Sequence, residues 1–563
     1  MKLPELINLP QKTTMISAFG GYNHNDRINE AEFFDMRNID SGSFPVIKTR
    51  KNRSTIRRLE KANGLYAHNK LAWVDGTDFY YNGAIVGQVE DSKKRFVSMG
   101  AFIIIFPDKK AYNTHTGEFT SLEAEYISAG ATIRFALCRI NGEEYADYTT
   151  SAVEPQEPVN GQYWLDISEG VVLKQYSTVS AAWVSVPTVY TKIMANGIGT
   201  GFKQYDGVNI EGMKSDVLNG SFVLQAADSD FIVVTALPQD LSEQTEEVTI
   251  SRKVPEMDFM TECDNRIWGC SSAKHEIYAC KLGDPTNWNA YLGIASDSYT
   301  ATVGSKGDFT GAVTHLGYVI FFKEDIIHKV YGTKPSNYQI TDVHARGVTK
   351  GSENSLALVN ETLLYHARDC ICEYTSSLPQ NVSDALGAKR YKNANAGATE
   401  GKYYISMQDE EGKWNLFVYN TRNSMWYKED ETQAEYFAEL DGKLYYISGG
   451  NIVCVNETGA EEEPFKWCLE SGIIGIETAE QKYINKIVLR MELEKDAKVG
   501  IYIKYNDGNW QAVMNRYEKR RRSFYIPIIP RRCDTMQLRL IGEGHMKLFT
   551  IQKTIEMGSD YTI

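Results

Sequence analysis

The sequence predicts an all-β fold: a β-propeller of about seven blades, with an inserted β-sandwich or barrel domain and a C-terminal β-sandwich. Three observations support this fold class. A hairpin pattern recurs along the chain, its period matches a propeller blade, and no segment shows a long amphipathic helical pattern. In each copy an apolar strand leads into a tight turn on Gly or Asn, and a second apolar or aromatic strand follows. The turns of the five later copies, spaced by roughly the 40 residues of a blade, are at Asn265, Gly317, Asn360, Gly401 and Gly442.

The N-terminal part is predicted to contain an arm and the first blades. Residues 1–33 are polar and rich in Asn and Gly, and we expect an extended arm. Residues 34–121 should form the first part of the propeller. A strand at 46–49 is predicted to complete the last blade, because a closed ring leaves no exposed sheet edge. Two blades should follow at 62–89 and 93–120.

The hairpin period is interrupted once and ends before the C-terminus. Residues 122–250 have alternating strands and a tract rich in Thr, Val and Gly, which predicts an inserted β domain whose ends lie close together. The period returns over 251–462, where we predict about five more blades. Beyond it, alternating strands and the Asn-Asp-Gly turn at 506–508 predict a C-terminal β-sandwich over 463–563.

Composition bounds the classes of function. The net charge of −13 argues against a chain that binds polyanions through its overall charge. No stretch approaches the roughly 18 apolar residues of a membrane span, so we predict no stable membrane insertion. The first ten residues contain two prolines and no long apolar core, unlike a signal peptide. We therefore expect synthesis in a cytoplasm.

The nine cysteines favour a reducing compartment, because their number is odd, their spacing is irregular and most lie in apolar strands. Two groupings could in principle bind a metal. Cys370 and Cys372 share one face of a strand, but no second pair follows at zinc-site spacing. The other grouping consists of Cys263, Cys270, His275 and Cys280. Its spacing fits no familiar zinc motif, so core packing is the preferred interpretation, and we predict no metal and no cofactor.

The sequence shows no motif for catalysis, and we predict no catalytic residues and no enzyme. A Gly-x-Ser-x-Gly turn, glycine-rich phosphate loops and the repeated box of sialidase propellers are all absent. Histidines such as His68, His315 and His366 lie in or beside predicted strands, where they are interpreted as hydrogen-bonded structural groups. The 73 acidic residues leave open a pair of glycosidase carboxylates.

Two basic segments contrast with the acidic background, at 48–61 and 519–532. Each could contact nucleic acid or an acidic partner subunit, or could be a solvated sheet edge that discourages aggregation. Base-stacking aromatic residues are not clearly interleaved with either segment. We therefore favour a protein contact or an edge over nucleic acid.

One stretch of the chain resembles a known family. Asn265-Arg-Ile-Trp-Gly, followed by Glu276-Ile-Tyr-Ala-Cys-Lys-Leu-Gly-Asp-Pro-Thr-Asn-Trp-Asn289, is similar to β-propeller virion proteins of tailed bacteriophages, above all the tail tubular or nozzle proteins of short-tailed phages. The segments at 314–331 and 38–50 resemble the next blade and the N-terminal segment of such proteins. The resemblance covers roughly 35–120 and 254–460.

The resemblance implies a non-enzymatic virion component located in the tail. Several copies would form a ring-like homo-oligomer around the DNA conduit, as a nozzle, a tail-tube extension or part of the head–tail region, in contact with other tail or connector proteins. DNA would pass transiently, and an acidic channel wall would keep it from adhering. Asp284-Pro285 would fix a turn, and Trp268 and Trp288 would fill gaps between blades.

Two alternatives stay open. The first is a propeller at the tail tip that binds a host surface or a glycan through exposed Trp and Tyr side chains. The second is a propeller glycoside hydrolase, which would need carboxylates about 5–10 Å apart at the central opening.

Overall fold

The computed structural model describes residues 11–455, 457, 459–475, 481–494, 497–517 and 521–557. Over these residues the prediction of an all-β chain is confirmed, because the helices are single 3₁₀ turns. They are Asp216–Leu218, Pro335–Asn337, Glu353–Ser355 and Asp384–Leu386.

Contacts divide the chain into two compact units. The first unit contains Met1–Lys93, Phe322–Ile327 and Val343–Ile563, and the second contains Lys94–Phe321 and His328–Asp342.

Twelve strands precede the inserted region. They are β1 (Gln11–Ile16), β2 (Phe33–Arg37), β3 (Ile47–Lys48), β4 (Ser54–Arg58), β5 (Ala62–His68), β6 (Lys70–Asp75), β7 (Asp78–Tyr81), β8 (Ala84–Gln88), β9 (Arg95–Met99), β10 (Phe102–Phe106), β11 (Lys110–Asn113) and β12 (Phe119–Ser121). Strands β5 to β8 form one antiparallel sheet, and β9 to β12 form another. We call them repeat sheets 1 and 2. They coincide with the two hairpin repeats predicted at 62–89 and 93–120.

The inserted region forms three further four-stranded sheets in the second unit. Its strands are β13 (Ala124–Ile127), β14 (Arg134–Cys138), β15 (Tyr148–Ser151), β16 (Tyr163–Asp166), β17 (Val172–Ser177), β18 (Ala182–Ser185), β19 (Tyr190–Met194), β20 (Gly207–Glu211), β21 (Gly220–Val223), β22 (Ala226–Asp228), β23 (Phe231–Val234) and β24 (Thr249–Arg252). Sheets β13-β24-β20-β21 and β14-β19-β23-β22 share one apolar core, which includes Ile193 and Ile250. The third sheet, β15-β16-β17-β18, packs on a smaller core around Leu165 and Leu173.

The hairpin repeats resume after the insertion. The strands are β25 (Phe259–Cys263), β26 (Arg266–Ser271), β27 (Glu276–Ala279), β28 (Tyr299–Thr302), β29 (Gly311–His315), β30 (Tyr318–Phe322), β31 (Ile326–Tyr331), β32 (Gln339–His344), β33 (Ala357–Val359), β34 (Thr362–His366), β35 (Ile371–Tyr374), β36 (Gln380–Asn381), β37 (Tyr391–Thr399), β38 (Lys402–Asp409), β39 (Trp414–Asn420), β40 (Met425–Asp430), β41 (Glu435–Leu440), β42 (Lys443–Ser448) and β43 (Asn451–Cys454). Four consecutive groups of four are repeat sheets 3 to 6, and repeat sheet 7 has the order β4-β43-β42-β41.

The repeat turns have the backbone conformation that their residues suggest. A left-handed turn favours Gly, which has no Cβ, and tolerates Asn. Positive φ angles occur at all five turn residues of the later repeats. The values are 60° at Asn265, 76° at Gly317, 56° at Asn360, 75° at Gly401 and 76° at Gly442. These five positions therefore fix where each first hairpin reverses.

The C-terminal part forms two antiparallel sheets that share a core. Its strands are β44 (Lys466–Ser471), β45 (Lys482–Leu493), β46 (Lys498–Tyr505), β47 (Gln511–Tyr517), β48 (Arg521–Ile526), β49 (Arg532–Cys533), β50 (Met536–Glu543) and β51 (Met546–Met557). One sheet has the order β2-β44-β50-β46-β47. The other has β1-β51-β45-β48, with β3 and β49 paired at its edges. Burial alternates along β45, so inward side chains such as Ile487 and Leu489 reach the core shared with Leu538 and Leu540.

The N-terminal segment belongs to these C-terminal sheets. The part of the expected arm that the structure describes, from residue 11 onward, pairs along β51 from Gln11↔Glu556 to Ile16↔Ile551. Phe19, Tyr22 and Phe33 are buried in the core of the first unit. Apolar side chains between Asn and Gly residues thus anchor this segment, and residues 1–10 lie outside the described range.

The strand that completes the last repeat sheet is not the one predicted. The strand at 46–49 was predicted to complete it, but Ile47–Lys48 pairs with β51. Ser54–Arg58 pairs with β43 instead and completes repeat sheet 7. The correction moves the strand into the basic segment 48–61, where Arg50 and Arg53 are buried beside acidic groups.

Consecutive repeat sheets pack through shared apolar layers inside each unit. In the second unit Trp288 lies between sheets 2 and 3, and Trp268 lies between sheets 3 and 4. In the first unit Tyr404 and Tyr446 join sheets 6 and 7, and Trp73 lies in the layer between sheets 7 and 1. The gap-filling role predicted for Trp268 and Trp288 is therefore confirmed for the layers of the second unit.

Candidate functional site

The basic segment 48–61 is largely neutralised by the chain itself. The guanidinium of Arg50 donates to both carboxylate oxygens of Glu462 at 2.7 and 2.8 Å. It also lies 4.1 Å from the centre of the Phe465 ring. Arg53 donates to Glu429 at 2.5 Å and to Asp430 at 2.6 Å. These two arginines therefore hold the segment against its own acidic neighbours and are not a surface for DNA phosphates.

The electrostatics of this ion-pair cluster follow from burial and charge. Burial works to raise the pKa of the Asp430 carboxyl, but the charge of Arg53 and the hydrogen bonds of Thr432 prevail and lower it. Burial also works to raise the pKa of the Glu462 carboxyl, but hydrogen bonds from Arg50 and from the backbone of Arg53 prevail and lower it. Both carboxylates are thus held in the charged form that the arginines need.

The second basic segment, 519–532, is only partly described. Residues 519 and 520 lie outside the described range. Arg531 is exposed and lies 5.8 Å from the centre of the Tyr505 ring, while the backbone of Arg532 pairs with Tyr483 in β45. A contact of this segment with DNA or with protein stays a prediction.

The cysteines singled out by the sequence are buried side chains of strands and turns. Sγ of Cys370 and Sγ of Cys372 lie 3.6 Å apart, in hydrogen-bond contact. The thiol of Cys263 faces the carbonyl oxygen of Gly317, and Sγ of Cys280 accepts the N–H of Ile267 at 3.1 Å. Across the described residues, no three His, Cys, Asp or Glu side chains come together as a metal site.

Two of the cavities in the described part of the first unit are large enough to hold a small molecule. The larger, of about 540 Å³, is lined by charges of both signs, including Lys48, Lys547, Glu492 and Glu494. The smaller, of about 340 Å³, is called here the His366 cavity. Its lining includes His366, Arg368, Asp369, Cys370, Asp384, Lys389, Arg390 and Tyr391. Neither brings together the nucleophile, base and orienting group of a recognisable catalytic arrangement.

His366 is a buried histidine with an unsatisfied nitrogen. It is 3% exposed, and its Nδ1 has no hydrogen-bond partner among the described residues. Burial lowers the pKa of this imidazole to about 4. The side chain is therefore neutral in the folded chain at pH values where an exposed histidine is already charged.

Replacing His366 with Gln is expected to flatten the pH dependence of stability between about pH 6.5 and 4. Because the folded-state pKa lies below the ordinary 6.5, the unfolded chain binds the proton first, and stability falls as pH decreases through this window. The difference corresponds to about 3 kcal/mol at its full extent. Urea unfolding of the first unit at several pH values measures it. His115→Gln, at an exposed position, is the control, and equal slopes in both variants would contradict the prediction.

A hydrogen-bonded chain of Ser305, His328 and Asp342 lies in the second unit. Oγ of Ser305 is 3.0 Å from Nε2 of His328, and Nδ1 of the same imidazole is 2.7 Å from Oδ1 of Asp342. His328 lies on β31 and Asp342 on the adjacent β32, while Ser305 lies in the segment that leads from β28 to β29. This group was not predicted from the sequence, because the three residues share no local motif.

Sheet β15-β16-β17-β18 carries aromatic side chains on the face opposite its core. Trp183 contacts Trp164 and Tyr176, with ring centres 5.4 Å apart in both pairs. Nζ of Lys174 lies 4.9 Å from the Trp164 ring and 2.7 Å from the Asp166 carboxylate. Trp164 is buried, whereas Tyr176 and Trp183 are half-buried.

The residues that carry the family resemblance stabilise the fold. The buried guanidinium of Arg266 donates to the carbonyl oxygens of Cys280, Asp297 and Ala295. Trp288 is 1% exposed, and its Nε1 donates to the carbonyl oxygen of Pro285 at 2.9 Å. This stretch is thus a structural element of repeat sheet 3 and its connection, in the position where the sequence predicted a fixed turn.

Comparisons with known proteins do not assign this chain to a family. No family model matches it, and no curated protein matches it. Among solved structures, an exo-β-1,3-galactanase from Phanerochaete chrysosporium has a TM-score of 0.20 and 8% identity, over 52% of this chain and 94% of that one. PorZ of the type-IX secretion system of Porphyromonas gingivalis has a TM-score of 0.24 and 11% identity, over 83% and 82%. The phage phi92 endosialidase has a TM-score of 0.15 and 10% identity, over 82% and 56%. Likenesses of this size define no function.

The described helices were compared with the requirements for a membrane span. None of them has the length and apolar character needed to cross a bilayer.

Proposed function

We propose that this chain is a structural subunit of a bacteriophage tail. In this proposal repeat sheets 1 to 7 are the blades of one β-propeller, and several copies surround the conduit through which DNA leaves the particle. Other tail or connector proteins contact the same assembly. The role needs rigidity and subunit contacts, and it needs no catalytic group.

The observation that carries the proposal is the completion of repeat sheet 7 by β4. A sheet built from both ends of the repeat region removes a free edge, which is how propellers close. The shared apolar layers between consecutive sheets support it further, because propeller blades pack face to face in this way. The resemblance of residues 265–289 to phage tail propellers supplies the biological context.

The inserted region offers a surface for contacts between copies. Four valines in and around sheet β15-β16-β17-β18 are at least half exposed, and Val179 is 97% exposed. They are Val153, Val159, Val179 and Val184. Val184 lies in β18, and the other three lie in the segments that connect the strands of this sheet. Exposed apolar side chains favour burial against another subunit. A second copy of this chain is the partner that the proposal assigns to them.

The double variant Val159→Asp/Val179→Asp is expected to convert the oligomer into single chains. A carboxylate at each position would have to be desolvated in a closed apolar contact, which costs several kcal/mol per contact. Size-exclusion chromatography with light scattering measures the mass. Val217→Asp, at an exposed valine in the 3₁₀ turn Asp216–Leu218 of the inserted region, is the matched control. A monomeric wild type, or an oligomer unchanged in the double variant, would contradict this contact surface.

Electron microscopy of purified particles tests the tail assignment. Antibodies against the inserted region should label the tail or the neck of the virion. Labelling of the capsid, or absence of the chain from purified particles, would refute the proposal.

The aromatic face of sheet β15-β16-β17-β18 favours a second candidate function, the binding of host-surface glycans at the tail tip. Aromatic rings on a sheet stack on the apolar faces of sugars, and Lys174 and Asp166 add polar contacts beside them. A glycan array probes this directly. Trp183→Ala should abolish any binding seen with the wild type, whereas Trp414→Ala in the first unit should retain it.

A further inference from the structure

The group formed by Ser305, His328 and Asp342 has the connectivity of a nucleophilic site. A carboxylate accepts only, so Nδ1 of His328 carries the proton that bonds Asp342. Nε2 is then the acceptor, and it faces the hydroxyl of Ser305 at 3.0 Å. The tautomer that Asp342 fixes is the one in which the imidazole can take a proton from the serine.

The surroundings leave the serine approachable. Ser305 is half-buried, in an exposed stretch between Gly304 and Gly307. A Cβ built on either glycine would meet nothing within 4 Å, so the backbone on both sides of Ser305 is uncrowded. Neither Lys306 nor Gly307 uses its backbone N–H in a hydrogen bond within the part of the chain that the structure describes. These N–H groups, one and two residues after Ser305 in the chain, are the candidate donors for a developing oxyanion.

Packing and a carboxylate fix the position of the His328 imidazole. The side chain of His328 is 0% exposed, and the ring of Phe309 lies 5.9 Å from it, centre to centre. Asp342 is 50% exposed on the neighbouring strand. Packing and the hydrogen bond to the carboxylate preorganise His328, so its Nε2 stays directed at Ser305.

We propose that Ser305 is the nucleophile of a second activity, the hydrolysis of carboxylic esters. His328 acts as the general base and acid, and Asp342 is the positioning residue. The site is separate from the structural role in the tail, and it lies within the second unit alone.

The reaction needs no cofactor. Oγ of Ser305 attacks the ester carbonyl carbon, and its proton passes to Nε2 of His328. The bond to the alcohol oxygen breaks, and the alcohol leaves with the proton from Nε2. Water then attacks the acyl-serine with His328 as base, and the carboxylic acid and the free serine are released.

Covalent labelling tests the nucleophile. The full-length chain is treated with a fluorophosphonate probe, and p-nitrophenyl acetate is used as the ester. We expect one label per chain, mapped by mass spectrometry to the peptide with Ser305, and none in Ser305→Ala. Hydrolysis of the ester should fall by at least about 100-fold in Ser305→Ala, to the rate of buffer. Ser296→Ala, at another half-buried serine of the second unit, should label and hydrolyse like the wild type.

The Asp342→Asn variant separates catalysis from structure. An amide in place of the carboxylate favours the wrong tautomer, and comparable serine enzymes lose about 10⁴-fold in kcat. We expect a loss of roughly 10²–10⁴-fold near neutral pH that diminishes toward alkaline pH, with an unchanged circular dichroism spectrum. A purely structural tie between strands would give neither a labelled serine nor a pH-dependent loss.

Absence of label in the folded wild type, or label and hydrolysis that persist in Ser305→Ala, would overturn the proposal. These outcomes leave the tail assignment untouched, because microscopy and mass measurements test that assignment independently.

Discussion

Replacing Arg53 with alanine is expected to lower the stability of the first unit by about 3–5 kcal/mol. The guanidinium is buried between Glu429 and Asp430, at 2.5 and 2.6 Å. Removal of the guanidinium leaves two carboxylates without a counter-charge, in a buried place where water cannot solvate them. Arg53 directly precedes β4, so we also expect this strand to separate from β43.

Urea unfolding, with hydrogen exchange read out at β43, measures both effects. Lys51→Ala, an exposed cation of the same basic segment, is the control and should change stability by less than about 0.5 kcal/mol. The triple variant Arg53→Met/Glu429→Gln/Asp430→Asn removes all the charges together and should recover part of the loss. A single variant as stable as the wild type would show that the cluster does not hold the strand.

The same cluster should make the first unit sensitive to acid. The pKa of Asp430 and that of Glu462 are lowered on folding, so their contribution is complete above the ordinary carboxyl range of about 4. It is lost as pH falls through the lowered values. Stability measured in the Arg53→Ala variant should depend less on pH in this range, and an unchanged dependence would contradict the assignment.

The Trp288→Ala variant is expected to lose about 3–5 kcal/mol in the second unit. Trp288 is among the largest fully buried side chains, and it fills the apolar layer between repeat sheets 2 and 3 together with Ile104 and Ile267. Truncation would leave a large void in that layer and free the carbonyl oxygen of Pro285. Thermal and urea unfolding of the second unit measure the effect.

Tyr291→Ala provides a control from the same stretch of chain. Tyr291 is 53% exposed, and its hydroxyl is in hydrogen-bond contact with Thr300 and the backbone of Trp288. Its replacement should cost less than about 1 kcal/mol. If both variants were equally stable, the layer between sheets 2 and 3 would not depend on the indole.

The sequence predicted the repeat hairpins well because their signals are local. Gly317, Gly401 and Gly442 take up positive φ where the pattern placed a turn, and the apolar run at 102–106 forms a buried strand. Pairing between strands that lie far apart in the sequence was harder to predict. The closing strand was placed at 46–49 instead of Ser54–Arg58, since a run of arginines suggests a solvated surface until its acidic partners are known.

The candidate sites were predicted least well, for the same physical reason. Ser305, His328 and Asp342 meet only because β31 and β32 are neighbours and the segment before β29 returns beside them. The residues between them contain no motif that reports this proximity. The role of Trp268 and Trp288 was predicted, by contrast, from the resemblance of their stretch to propeller proteins and from the tendency of large aromatic side chains to fill gaps between sheets.

The pairing of β4 with β43 has a consequence for biosynthesis. Arg53 leaves the ribosome long before Glu429, which is 376 positions later in the chain. Throughout that interval β4 has no partner strand to pair with. It can pair only after the hairpin of β42 and β43 has been synthesised. Maturation of this sheet therefore waits until β43 has been synthesised.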